Sequence, residues 1–118
     1  MKVAEFISAK AMEDMRLEIS ESGGNEVFFR GIPDGEGLVS AVEVIARGNS
    51  SSVAALLNMM RKNEVIIHNH PSGVLIPSDE DVNISSMYGE VGGASYIVDN
   101  AVDEVSAGFG DRVRVTFF

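Results

Sequence analysis

The two histidines of this 118-residue chain, His68 and His70, stand one residue apart, and Pro71, Ser72 and Gly73 follow at once. The residues before them, Glu64-Val65-Ile66-Ile67, are rich in β-branched side chains and predict a buried strand that Pro and Gly bring to an end. Side chains alternate across a strand, so the two imidazoles share one face while Asn69 points away. Two imidazoles on one face beside a turn can converge on one divalent metal. Seven residues separate His70 from Ser78, which reads as a helix N-cap and puts Asp81 in the first turn of that helix. The helix start can return the Asp81 carboxylate to the strand end. Two neutral imidazoles, one carboxylate and an open fourth position describe a catalytic Zn²⁺ site better than a closed structural one.

The rest of the composition narrows what such a site can belong to. The chain has no cysteine, which excludes disulfides, thiolate metal sites and a cysteine nucleophile, and a cytoplasmic location is the simplest reading. No long apolar run is present, so no membrane span is expected, and the first residues lack the apolar core of a secretory signal. Acidic residues outnumber basic ones 18 to 9, for a net charge of −9. No basic stripe exists to follow a phosphate backbone, so strong nucleic-acid binding by this domain is not expected. The acidic balance is compatible with a protein or peptide partner that carries basic residues.

In chain order, Val3, Phe6, Ile7, Met15 and Ile19 recur at helical spacing and predict one amphipathic helix from Val3 to Ser22, stopped by Gly23-Gly24. Glu26 to Arg30 predicts a strand, Pro33 to Gly37 a turn with two glycines able to take positive φ, and Leu38 to Ala46 the returning strand of a hairpin. In that strand Val42, Val44 and Ala46 alternate with Glu43 and Ile45. Asn49 to Ser52 offers N-caps for a helix to about Arg61, with Val53, Leu56, Leu57 and Met60 inward. The histidine strand, the loop Pro71–Pro77 and a helix from Ser78 to about Glu90 follow. Three short strands are expected at Ser95–Asp99, Val102–Phe109 and Arg112–Phe118, with turns at Asp99-Asn100 and Gly110-Asp111. The sum is one α/β domain over 1–118, a mixed and mostly antiparallel sheet flanked by helices.

The pattern His-x-His, seven residues, Ser, two residues, Asp, carried by His68, His70, Ser78 and Asp81, resembles the JAMM signature of the MPN/JAB metalloproteases. The segment Gly24-Asn25-Glu26-Val27-Phe28-Phe29-Arg30-Gly31 resembles the glutamate segment of that family. The wording His-Asn-His-Pro-Ser-Gly is most similar to the bacterial RadC-like branch. The N-terminal JAB domain of DinG-type helicases is another close likeness, helped by Tyr96-Ile97-Val98-Asp99-Asn100. The resemblance implies an MPN/JAB, cytidine-deaminase-like sandwich and a zinc-dependent metallopeptidase or isopeptidase. In that reading His68, His70 and Asp81 hold Zn²⁺, Glu26 shuttles a proton, and Ser78 donates to the oxyanion. It also implies a protein or peptide substrate, such as a lysine-linked ubiquitin-like tail. The 118 residues are then one domain, or a piece of a larger protein with a fused helicase or DNA-repair partner. Segments that grip ubiquitin in eukaryotic deubiquitinases look minimal here.

Each of these residues has an ordinary structural role beside the chemical one. Asp81 favours a helix N-terminus by its charge, Ser78 caps that helix, and glutamates on strands are common. Glu43 and Glu64 compete with Glu26. Glu64 shares a strand with His68 but lies roughly 13 Å along it at ~3.3 Å per residue, too far for a proton shuttle; Glu43 stays open. Met59, Met60 and Met87 fit helical patterns and read as core. The rival class is a binding or regulatory module that keeps the fold with little or no catalysis. A nucleobase deaminase would need a Pro-Cys-x-x-Cys segment, and a barrel amidohydrolase about twice this length. An HNH nuclease would need a basic surface.

Overall fold

The computed structural model describes residues 1–48, 53–89 and 93–108. A 3₁₀ turn at Val3–Glu5 precedes helix α1, Ala9–Glu21. Strands β1 (Val27–Pro33) and β2 (Val39–Arg47) follow, then helix α2 (Val53–Asn58), strand β3 (Val65–Asn69), helix α3 (Asp79–Gly89), and strands β4 (Ala94–Val98) and β5 (Val105–Gly108). The strands form one sheet in the order β2-β1-β3-β4-β5, antiparallel throughout except for the parallel pair β3–β4.

The sheet is sandwiched because its strands alternate. Val27 and Phe29 of β1, and Val65 and Ile67 of β3, turn to the face covered by α1, where they meet Ala11, Met15 and Ile19. Phe28 and Ile66 turn to the other face, against Leu56 of α2 and Ile84 and Tyr88 of α3. All five residues of β3 are buried, as expected of a central strand covered on both sides. Gly31 sits in the middle of β1, where a Cβ would stand 2.8 Å from Ile67 Cδ1 and 3.1 Å from Val39 Cγ1.

The expected single helix from Val3 to Ser22 is two pieces. Ile7 makes a parallel bridge to Val39, and Ser8 then starts α1, its Oγ accepting from the Ala11 N–H at 3.2 Å. A strand-like bridge and a true N-cap outweigh a periodicity that both arrangements satisfy. Other expectations shift: α2 ends at Asn58 rather than near Arg61, and Met59 and Met87, expected in the core, are exposed. A bulge leaves Ile45 without a partner between the pairs Phe28–Ala46 and Phe29–Val44. Val42 and Val44 therefore pack on the α1 side, whereas Ile45 and Ala46 join the opposite cluster. The last described strand begins at Val105 because Val102 takes φ +55° in the turn before it. In the hairpin turn Gly37 takes positive φ (+85°) and Gly35 does not. The expected caps at 49–52, the turn at 110–111 and the strand at 112–118 lie outside the described residues.

Candidate metal centre

The end of α1 delivers the first site residue. Gly23 takes φ +68°, the Gly24 N–H bonds to Ile19 O at 2.9 Å and the Gly23 N–H to Ser20 O at 3.0 Å. This is a Schellman cap, and it turns the chain sharply into Asn25-Glu26. Glu26 precedes β1 and its carbonyl accepts from the Gly48 N–H at 2.8 Å, so it continues the β1–β2 pairing. Phe28 pairs with His68 across β1 and β3. Two residues further along, the same register sets Glu26 opposite His70, on the α3 side of the sheet.

The histidines come from the other strand. The His68 ring is buried and stacks on Phe28, centroids 4.8 Å apart and planes 22° from parallel. His70 lies just past β3, and its N–H bonds to Val98 O at 2.9 Å, extending the parallel pairing with β4. The Gly73 N–H then closes a turn onto His70 O at 2.9 Å, with Gly73 at φ +78°. That turn brings the Val74 carbonyl to 2.9 Å from His70 Nδ1. The ring is thereby oriented with Nε2 toward His68, and the two Nε2 atoms are 3.3 Å apart.

Asp81 arrives from the start of α3. Ser78 Oγ accepts from the Asp81 N–H at 3.2 Å, and Asp81 Oδ2 accepts from the Ser78 N–H at 2.8 Å. This reciprocal capping box fixes the carboxylate at the helix N-terminus. Its Oδ1 lies 2.9 Å from His68 Nε2 and its Oδ2 2.9 Å from His70 Nε2. The ligand atoms of Glu26, His68 and His70 all lie within 4.8 Å of one another.

These distances can be tested against a metal. Two ligands ~2.05 Å from one tetrahedral zinc stand about 3.3 Å apart, the spacing of the two Nε2 atoms. The proton inventory points the same way. His70 Nδ1–H donates to Val74 O, so the neutral ring presents a bare Nε2 lone pair to a carboxylate oxygen at 2.9 Å. Lone pairs this close need an extra proton or a cation between them. The donor set of imidazole nitrogens and carboxylate oxygens therefore fits a divalent metal.

The local charges agree. Burial alone would raise the Asp81 carboxyl, but the hydrogen bonds to His68 and His70 outweigh it and hold the group well below the usual carboxylate range. The His70 imidazole is raised, first by its hydrogen bond with Asp81. Glu26 moves the other way from Asp81. Burial is the main cause that raises its carboxyl above the ordinary value, with His68 opposing. The environments of the two carboxylates thus push them in opposite directions, Asp81 down and Glu26 up.

The model of the RadC-like JAB domain family matches residues 3–97, a span holding Glu26, His68, His70, Ser78 and Asp81. The chain belongs to that family. No match is found among curated proteins. In this RadC-like JAB domain the competing glutamates are engaged elsewhere. Glu43 pairs with Arg30 at 2.9 Å, and Arg30 is four strand residues, roughly 13 Å, from Glu26. Glu64 accepts from the Arg61 N–H at 2.7 Å.

One residue of the site was not legible in its chemistry. Asn69, between the histidines, does point away from them, as alternation requires, and is fully buried. Its Oδ1 accepts from the Val27 N–H at 2.7 Å, and its Nδ2 donates to Asn25 O at 3.1 Å and to Asn100 Oδ1 at 2.6 Å. Asn100 in turn donates to Gly24 O at 2.9 Å. One side-chain amide thus clamps the residues on both sides of Glu26. The signal available in the sequence was a polar residue that alternation aims at the apolar face opposite the histidines, where it demands a partner. The RadC-like domain also has an open cleft of about 740 Å³ beside the cluster, bordered by Glu26, Arg47 and Pro71.

Proposed function

We propose that this domain is a zinc-dependent hydrolase of amide or isopeptide bonds. The observation that carries the reading is the convergence of His68, His70 and Asp81: the two Nε2 atoms stand at tetrahedral-edge spacing, each is 2.9 Å from an Asp81 oxygen, and the more basic Glu26 lies beside them. His68 Nε2, His70 Nε2 and the Asp81 carboxylate would hold the ion. When bound, zinc acts as a Lewis acid and brings water close to neutral acidity. Glu26 accepts the proton of the attacking water on a carboxylate oxygen and delivers it to the leaving nitrogen. The Ser78 hydroxyl accepts from Asp81 N–H while retaining its own proton, which it donates to the developing oxyanion. No covalent acyl-enzyme is required, in keeping with the absence of cysteine.

In this reading the cleft beside Glu26 receives a protein or peptide, with a lysine-linked ubiquitin-like tail as the type of substrate. The net charge of −9 supports a basic partner. Residues 1–118 act as one JAB/MPN-like domain in the cytoplasm, alongside a helicase or DNA-repair partner of the DinG kind. Among the described residues no helix is long and apolar enough to cross a membrane. The test is Glu26→Gln, which keeps shape and hydrogen bonding but cannot take the proton. Hydrolysis of a peptide or isopeptide library should fall by roughly 10²–10⁴, with zinc content by elemental analysis unchanged. Full activity in this variant would remove Glu26 from the mechanism.

A further inference from the structure

The sheet face that carries His68 holds serines where apolar side chains are the rule. His68 pairs with Ile97 of β4, and Ile97 with Ser106 of β5. Ser95 lies two residues before Ile97 and so shares that face. Helix α3 covers it with Ser85. The three serines are 8% (Ser95), 2% (Ser106) and 5% (Ser85) exposed. Together with His68, Asp81 and neighbouring apolar side chains they line a small cavity of about 10 Å³. Two atoms at this place, His68 Nδ1 and Ser85 Oγ, are buried and have no hydrogen-bond partner among the described residues.

Buried polar atoms are nearly always paired, with protein or with ordered water. A cavity of roughly 10–15 Å³ with two to four polar partners has the size and lining for a single water. We propose that this chamber is an internal water site, in which the water accepts a hydrogen bond from His68 Nδ1–H and is held by the serine hydroxyls. His70 has its counterpart in the Val74 carbonyl. Among the described residues none supplies such an acceptor to His68, and the chamber takes its place.

The consequence for metal binding rests on the zinc reading given above. Without metal, the His68 proton can sit on Nε2 and donate to Asp81 Oδ1, 2.9 Å away, leaving Nδ1 bare. Ligation through Nε2 forces the proton to Nδ1, where it needs an acceptor. The water is therefore required by the metal-loaded state far more than by the metal-free one. A purely structural role of the serines would affect both alike.

The test is zinc affinity by chelator competition, with melting temperature of the metal-free protein, for wild type, Ser106→Val and Ser85→Ala. Ser106→Val fills the chamber with a branched apolar side chain suited to a strand. It should weaken zinc binding by about 10–100-fold while the metal-free melting temperature holds or rises. Ser85→Ala makes the same comparison if Ser106→Val does not fold. A high-resolution crystal structure of the zinc-loaded wild type should show the water in contact with His68 Nδ1. A dry chamber there, or a folded Ser106→Val that binds zinc within about twofold of wild type, overturns the inference. Hydrolysis is not read, so wild type that holds zinc but cleaves nothing sinks the proposed reaction and leaves this site standing. Wild type that holds no zinc overturns both.

Discussion

Asn69→Ala removes the clamp around Glu26 without touching any side chain that faces the metal cluster. The largest loss is the acceptor for the Val27 N–H, a donor on a fully buried residue. An unsatisfied buried donor costs about 1–3 kcal/mol. The bonds to Asn25 O and Asn100 Oδ1 are only partly buried, and water can replace some of each, so they add about 0.5–1.5 kcal/mol apiece. Since the three are not additive, the expected cost is about 3 kcal/mol, a large part of the stability of a small domain. Urea unfolding followed by far-ultraviolet circular dichroism measures it, and amide exchange at Val27 should accelerate in parallel. Asn100→Ala leaves the Val27 bond intact and should cost about 1–2 kcal/mol. The double variant should fall short of the sum by at least ~0.5 kcal/mol, because the residues share one bond. A loss under about 1 kcal/mol for Asn69→Ala, with Val27 exchange unchanged, would refute the reasoning from a buried unpaired donor.

Ser78→Ala should cost about 0.5–2 kcal/mol as a lost cap and reduce kcat by roughly 10²–10³ as a lost oxyanion donor. Ser78→Asp should keep the cap and lose the activity; retained kcat in a folded, zinc-loaded Ser78→Asp protein leaves Ser78 only the capping role. Gly31→Ala forces a Cβ against Ile67, Val39 and the Val65 carbonyl and should destabilise by about 1–3 kcal/mol, read as a lower urea midpoint; an unchanged midpoint contradicts the packing. Burial raises the Tyr88 phenol from 10.0 to about 12. The folded state holds that proton more tightly, so stability present below pH 10 is lost as pH rises toward about 12, by roughly 3 kcal/mol. Tyr88→Phe should flatten that alkaline limb of a stability-versus-pH curve; an equally steep limb would assign it to other groups.

What the sequence disclosed follows from how local each rule is. Alternation along Val65–His70 placed both imidazoles on one face, and the N-cap at Ser78 placed Asp81, because each argument spans a few residues. Glu26 needed the antiparallel register of β1 on β3, which no local pattern encodes, and it was reached through resemblance. The break at Ile7-Ser8 was hidden because Val3, Ile7 and Met15 are buried in either arrangement. The bulge at Ile45 was hidden because Val42, Val44 and Ala46 alternate perfectly until one residue is left over. Asn69 was placed correctly but not understood, since its partners are 42 and 31 residues away. The serine chamber lies across three elements and has no signature of its own.

The segment between the Val74 carbonyl and the Ser78 cap has a separate consequence. His70 is held by what precedes it, and Asp81 by a cap that begins at Ser78. Among the described residues, no hydrogen bond joins the backbone of Leu75, Ile76 or Pro77 to anything else. Neither half of the metal cluster thus depends on the length of chain that connects them. Each doubling of a flexible loop adds only about 0.6 kcal/mol of closure entropy, so residues inserted between Leu75 and Ile76 would leave the ligands where they are. This is the point at which the fold tolerates growth: a new lid, a recognition loop or an entire inserted domain would arrive at the rim of the cluster with its geometry already built.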